Sequence, residues 1–361
     1  MKVLIVNPIL YTNENKNIKK VNTIKDTMIY DLCLAFKKKG GDVTLPASDL
    51  YKPSENESYP FNIIWMRTRC TKLFPPHTLP YCPAVKKIAK SGNFDLIITS
   101  EVFSLNSLKL ALCTPKNLIV WQELGKHNRI FQGLASKFWY GIVAKIGFKK
   151  ALIVARSVQA REFISKYCKN VSDTIIDHGV NIEKFTPCRE KDNQFAISSQ
   201  LISRKHIEKS IEAFAKYLNK YDDSAKLYIM GEGEEEENLK ALSKKLGADK
   251  NIIFTGKLGH NKLIEILKKS IAMLVYTEKD NNMVSVVESI ALATPVITTD
   301  IPYNASYIKA EKLGIVNNNW NENDLRKLAA SDEYINNCIN YRKYLPTEYK
   351  AEQFLKVKGL I

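Results

Sequence analysis

The sequence predicts an α/β protein made of two Rossmann-like domains facing a central cleft. Three observations carry that expectation. Short apolar runs alternate with amphipathic helical stretches along most of the chain, the pattern of parallel sheets flanked by helices. The 361 residues suffice for two domains that each bury a core. Between residues 184 and 193 (KFTPCREKDN) periodicity vanishes and polarity rises, as in an interdomain linker.

The elements follow in order. Residues 1–10 are too short for a membrane span and lack the basic start and cleavage site of a signal peptide, so they read as a first strand over 3–6. Further strands are expected at 95–99, 118–121 and 151–154, and then at 227–230, 252–255, 273–276 and 295–298. Helical periodicity is clear over 207–218 and 235–246. Residues 51–83 resist the alternation, with prolines at 53, 60, 75, 76, 80 and 83, and read as a long loop of the functional or mobile kind. The expected division is a first domain over 1–185, a second over 186–340, and a closing helix over 341–361 that can return to the first domain.

Composition narrows the class. Apolar residues make up 45% and charged residues 25%, ordinary for a soluble globular chain. No segment offers the ~18 uninterrupted apolar residues of a membrane span, so a cytoplasmic protein is expected, with a peripheral place on the inner face of the cell membrane left open. The seven cysteines lack Cys-x-x-Cys spacing and read as reduced thiols rather than metal ligands. Charge is lopsided: residues 1–180 carry 27 Lys+Arg against 13 Asp+Glu, a net of +14, and residues 181–361 carry 27 against 25, a net of +2. The first half therefore expects an anionic partner, whether membrane, nucleic acid or a phosphorylated acceptor; the alternative is a merely basic solvated surface.

The densest chemical signal is TEKDNNMVSVVESIALATPVITTD, residues 277–300. A polar loop follows a strand, a helix starts near Val284, and Pro295 opens the next strand. Asp280 and Glu288 are separated by seven residues. A carboxylate on the first turns of such a helix can accept two charge-assisted hydrogen bonds from a vicinal diol. The loop Asn281-Asn282-Met283 feeds a helix N-terminus whose free N–H groups favour a diphosphate. The plain alternative is an acidic cap and a surface glutamate.

This segment resembles the donor-binding signature of the family 4 glycosyltransferases, Glu-x7-Glu followed by a helix and Gly/Ala-Thr-Pro-Val; here Asp280, Glu288 and Ala293-Thr294-Pro295-Val296 fill it. Asp280 replaces the first glutamate, and Asn281-Asn282-Met283 replace the usual Gly-Phe-Gly. A second segment, residues 198–218, is similar to the family's Gly-Arg-Leu-x-x-x-Lys-Gly: Lys205 matches the lysine, Gln200 stands at the arginine position, and Arg204 lies beside Lys205. Weaker likenesses are Asp177-His178-Gly179-Val180 before the linker and Gly231-Glu232-Gly233 after a strand.

The resemblance implies the GT-B architecture and a retaining, metal-independent hexosyl or N-acetylhexosaminyl transfer. The donor would be a UDP- or GDP-sugar, with no other cofactor. Glu288 would hold the ribose, Asp280 the donor sugar, and Lys205, Arg204 and Gln200 the diphosphate. Asn281, Asn282, Met283, Val284 and Gly231 would line the nucleotide. In the first half, Glu123 is the candidate for orienting the acceptor hydroxyl or the donor sugar, with His127 and Glu101 weaker and a plain surface role the alternative for each. The segment 129–150 mixes Lys137, Lys145, Lys149 and Lys150 with aromatics, which suits either the headgroup region of an anionic bilayer or a core helix. These features favour a lipid-linked saccharide acceptor in capsule, exopolysaccharide or lipopolysaccharide synthesis. The alternatives are a soluble or protein acceptor, a nucleotide-sugar 2-epimerase, and a basic nucleic-acid-binding protein; the last has charge alone in its favour and no binding motif.

Overall fold

The computed structural model describes every residue except 12–17, 19, 129–132 and 281. The chain divides into two compact units, one of Met1–Gly179 with Thr347–Ile361 and one of Val180–Pro346.

The first unit is built on six strands, β1 Lys2–Val6, β2 Asp42–Ser48, β3 Asn62–Met66, β4 Leu96–Ser100, β5 Leu118–Gln122 and β6 Leu152–Ala155. All pairings are parallel, in the order β3-β2-β1-β4-β5-β6, the doubly wound order of nucleotide-binding folds. A sheet covered on both faces needs strands apolar on both sides. Thus Val3 and Ile5 of β1 join one core with Leu45, Trp121 and Phe36, while Leu4 and Val6 join the other with Val120, Tyr140 and Phe148.

The helix Thr347–Lys358 closes the first core. Phe354 meets Phe36 and Trp121 ring to ring, and Lys38 and Lys39 pair with Glu348 and Glu352. Gly179 permits the approach, since a Cβ there would lie 2.8 Å from Thr347 Cα.

The second unit repeats the plan with β7 Gln194–Ser198, β8 Lys226–Met230, β9 Ile252–Gly256, β10 Ala272–Leu274, β11 Val296–Thr298 and β12 Gly314–Val316. Its parallel order is β12-β11-β10-β7-β8-β9, the same winding started at β7. The helix Ile207–Lys220 lays Ile211, Phe214 and Leu218 on Phe195 and Leu227. The helix Val284–Ala291 buries Val286, Val287, Ile290 and Ala291 against the sheet and the helix Glu333–Tyr341, and carries Ser285, Glu288 and Ser289 on its other side. In each unit the winding reverses between two adjacent strands, β1 and β4 or β7 and β10. In such sheets the crevice outside the carboxyl ends of those two strands is where ligands bind.

Four strands lie outside the sequence expectation. β2 (DVTLPAS) carries polar residues and Pro46, and β3 sits inside the proline-rich 51–83 stretch, which is therefore not one long loop. β7 begins at the buried Gln194, satisfied by Ile266 O and Ser270 Oγ, and β12 is only three residues. Among the described residues no helix is long and apolar enough to cross a membrane.

Candidate functional site

The loops leaving β7 and β10 bring the charged candidates together at the switch point of the second unit. After β7 the chain passes Gln200, which is exposed, and the buried Leu201. It then makes a 3-10 turn over Ser203–Lys205, with His206 left-handed at φ 42° before the next helix. Lys205 Nζ lies 2.7 Å from Asp280 Oδ2, and Arg204 Nη1 lies 3.1 Å from Oδ1. Thr277 donates to the same Oδ2 at 2.6 Å, and the Glu278 N–H bonds to Arg204 O. A lysine at the start of a helix is unfavourable unless an anion sits beside it, and Asp280 supplies that anion to Lys205 within the chain. Lys205 and Asp280 keep only 11% and 15% of their side-chain surface, so neither charge is a solvated surface group.

Asn282 and Met283 precede the helix Val284–Ala291, whose N-cap residue, Met283, makes no side-chain cap hydrogen bond. Asn304, fully buried, does the bracing: its Oδ1 accepts the Met283 N–H at 2.7 Å and its Nδ2 donates to Asn282 Oδ1 at 2.7 Å. Val284 opens the helix, partly exposed, and Asn281 lies outside the described residues. One turn on, Glu288 Oε1 meets His260 Nε2 at 3.0 Å, and Phe185 lies edge-on to the imidazole.

Gly231 and Gly233 let two loops touch. A Cβ at Gly231, whose φ is +151°, would sit 1.8 Å from Ser199 O, and one at Gly233 would sit 2.2 Å from Leu201 O. Their glycines fix the loop that carries Gln200, an architectural duty whatever else Gly231 touches.

In the first unit the carboxyl ends of β4, β5 and β6 hold a second cluster. Glu123, just past β5, accepts from Arg156 Nη1 at 2.9 Å, and Arg156 Nη2 donates to Ser100 Oγ at 3.2 Å. The guanidinium stacks over Trp121 at 3.7 Å. Glu101 sits at φ +68°, and its carboxylate accepts the Glu123 and Leu124 N–H groups at 2.7 and 3.4 Å. Burial pushes the Glu101 carboxyl up to about 7, Arg156 opposing and Glu123 adding to the rise. His178 is buried beside Arg156, its Nε2 3.4 Å from Nη1, and burial with the charges of Arg156 and Lys350 holds it neutral, well below the usual imidazole range.

His127 is not in this cluster. Its nitrogens meet Ser136 Oγ and Tyr167 OH, both at 3.0 Å, and its ring packs among Tyr140, Phe163 and Tyr167. It is a half-buried histidine with both ring nitrogens satisfied.

Three partners escaped the sequence reading: His260 on Glu288, Asn304 under the 282–283 loop and Arg156 on Glu123. Only Arg156 had a signal, a charged residue directly after a strand that reads as buried on both faces.

Comparison with known proteins agrees with the fold. Residues 181–343 match the family described as glycosyl transferases group 1. Over 301 residues the chain is 24% identical to the alpha-monoglucosyldiacylglycerol synthase of Streptococcus pneumoniae, covering 75% of this chain and 66% of that one. The chain spans about two thirds of the length of the curated relatives it matches. Among solved structures, WaaG, a glycosyltransferase involved in lipopolysaccharide biosynthesis, superposes with a TM-score of 0.60 at 15% identity, covering 99% of both chains. The Anabaena HepE protein in complex with UDP-glucose does so with a TM-score of 0.62 at 11% identity, covering 100% of both. At these identities the likeness fixes the two-sheet fold and nothing finer.

Proposed function

Because the chain belongs to the group 1, or family 4, glycosyltransferases, we propose that it transfers a sugar from a nucleotide-diphosphate sugar to a lipid-linked saccharide, with retention of configuration. The observation that carries this reading is the convergence of Lys205, Arg204 and Asp280 beside the helix that bears Glu288, all at the carboxyl ends of β7 and β10. HepE, bound to UDP-glucose, shares the fold, which makes a uridine nucleotide the first donor to test.

Each residue then has a task. Glu288, steadied by His260, accepts the ribose hydroxyls. The N–H groups opening the helix Val284–Ala291, held in place by Asn304, face the diphosphate. Lys205 and Arg204 exchange Asp280 for the phosphates as charge grows on the departing group, and this stabilisation is strongest in the transition state. Asp280, released, turns to the hydroxyls of the donor sugar. The bond from the anomeric carbon to the diphosphate oxygen breaks, the acceptor oxygen bonds to that carbon from the same face, and the acceptor proton passes to the departing phosphate oxygen. Glu123, aimed by Arg156 and Glu101, orients the acceptor.

A lipid-linked acceptor is supported by the net charge of +14 on residues 1–180 and by the glycolipid named in the pneumococcal relative. A peripheral site on the inner face of the membrane follows from that acceptor.

The test is a thermal-shift panel of UDP, GDP and their sugars. A ligand at about 100 times its dissociation constant adds about 2.7 kcal/mol of stability. A clear shift with one nucleotide, lost in folded Glu288→Ala, is expected; no shift with any of them would sink the reading.

A further inference from the structure

Residues 134–147 form one continuous helical segment, Leu134–Phe138, a π turn over Trp139–Ala144, and Lys145–Gly147. One row at four-residue spacing, Ser136, Tyr140, Ala144 and then Phe148, is buried in the first unit. The row half a turn away, Leu134, Phe138, Ile142 and Ile146, is 67%, 61%, 51% and 73% exposed. A surface helix ordinarily turns polar residues to water. This one is apolar on both sides.

The π turn has a consequence for that row. In an α-helix of 3.6 residues per turn, positions four apart overshoot a full turn each time, so a row of four would spiral round the axis. The wider π turn sets the overshoot back and keeps the exposed row on one side. Leu112, 67% exposed, ends the neighbouring helix Leu105–Cys113, which packs on Lys145–Gly147.

The surroundings are positive. Lys137, Lys145, Lys149 and Lys150 are all exposed. From residue 102 to residue 161 the sole acidic residue is Glu123, and it is paired with Arg156. A second copy of the chain would set these lysines against each other, whereas an anionic bilayer offers both an apolar boundary layer and opposite charge.

We propose that Leu134, Phe138, Ile142 and Ile146, flanked by Lys137, Lys145, Lys149 and Lys150, dock the first unit on an anionic lipid surface. The apolar row enters the headgroup–acyl boundary and the lysines meet the lipid phosphates. This rests on the lipid-linked acceptor proposed above and names the element that brings the enzyme to it.

Co-sedimentation of the full chain with phosphatidylcholine vesicles, with and without phosphatidylglycerol, tests it. The parent binds the anionic vesicles, and binding weakens as salt rises. Replacing Leu134, Phe138, Ile142 and Ile146 together with Ser lowers vesicle affinity by roughly tenfold or more. Because all four side chains face solvent, the variant keeps its melting temperature and its UDP binding; Phe138→Ser alone is the fallback should it not fold. Replacing the four lysines with Gln flattens the salt dependence. Unchanged vesicle binding in the folded Ser variant overturns the proposal. So does a parent that ignores vesicles and is instead a dimer, by light scattering, that the Ser variant dissolves. A chain that docks through this row yet binds no nucleotide would overturn the transferase reading and leave the docking surface standing.

Discussion

Asp280 is held by two cations at once, Lys205 Nζ on one carboxylate oxygen at 2.7 Å and Arg204 Nη1 on the other at 3.1 Å. On the function proposed above, a diphosphate entering beside them would compete with Asp280 for both. Asp280→Asn therefore binds UDP several-fold more tightly than the parent while losing transfer, because the carboxylate that would hold the sugar is gone. Lys205→Ala does the opposite to binding and lowers turnover by about 100-fold or more. Lys205→Arg restores part of it, since a planar fork does not reproduce a point charge. Calorimetry with UDP and release of UDP from the donor sugar give the two readouts. Weaker UDP binding in Asp280→Asn would show that the pairing does not compete with nucleotide.

Glu288 and His260 make the second prediction. Glu288→Ala costs about 2–3 kcal/mol of nucleotide affinity if its carboxylate grips the ribose. His260→Ala, which removes only the group that steadies Oε1 at 3.0 Å, costs about 1 kcal/mol. Equal losses in the two variants would place the histidine itself on the nucleotide.

The residues of this site were legible to different degrees for physical reasons. Asp280, Glu288 and Lys205 stand out in sequence through their match to the family's motifs, in polar loops that interrupt the strand–helix alternation. The strands β2, β3 and β12 did not, since a proline, a proline-rich neighbourhood and a length of three residues erase the apolar run. His260 and Asn304 were invisible because their roles come from tertiary contacts 28 and 21 residues away in sequence. His127 looked like a candidate in sequence. Its two hydrogen bonds and three aromatic neighbours give it a structural place at the edge of the core.

The buried imidazole of His178 predicts an acid limb of stability. Burial and the charges of Arg156 and Lys350 depress its affinity for a proton in the folded chain, so below the ordinary value of 6.5 the unfolded chain binds the proton that the folded chain refuses. Stability falls as pH drops below that value. Because Glu101 acts oppositely in the same range, the reading is the difference between two proteins: the melting temperature of His178→Asn, which cannot charge, should gain on that of the parent as pH falls from about 7.5 to about 5. Parallel curves for the two proteins would assign acid sensitivity elsewhere. Glu101 runs the other way: its carboxyl, raised to about 7, favours the folded state while protonated, so its contribution is lost as pH rises through that value.

Arg156 ties the first unit's cluster together, and its geometry separates an acceptor role from a donor role. Arg156 is 7% exposed; its guanidinium sits over Trp121 and reaches Glu123 and Ser100 with its two terminal nitrogens. Lysine can supply the charge at one of those partners but neither the stack nor the fork. Arg156→Lys should therefore cost about 1–3 kcal/mol of stability and release the Glu123 side chain without touching the second unit. If Glu123 orients the acceptor, Arg156→Lys and Glu123→Gln both reduce transfer while UDP affinity stays at the parent value, and the double variant is no worse than Glu123→Gln alone, because the arginine acts through the glutamate. Additive losses in the double variant would give Arg156 a contact of its own with the substrate. A fall in UDP affinity in Glu123→Gln would move Glu123 from the acceptor to the donor.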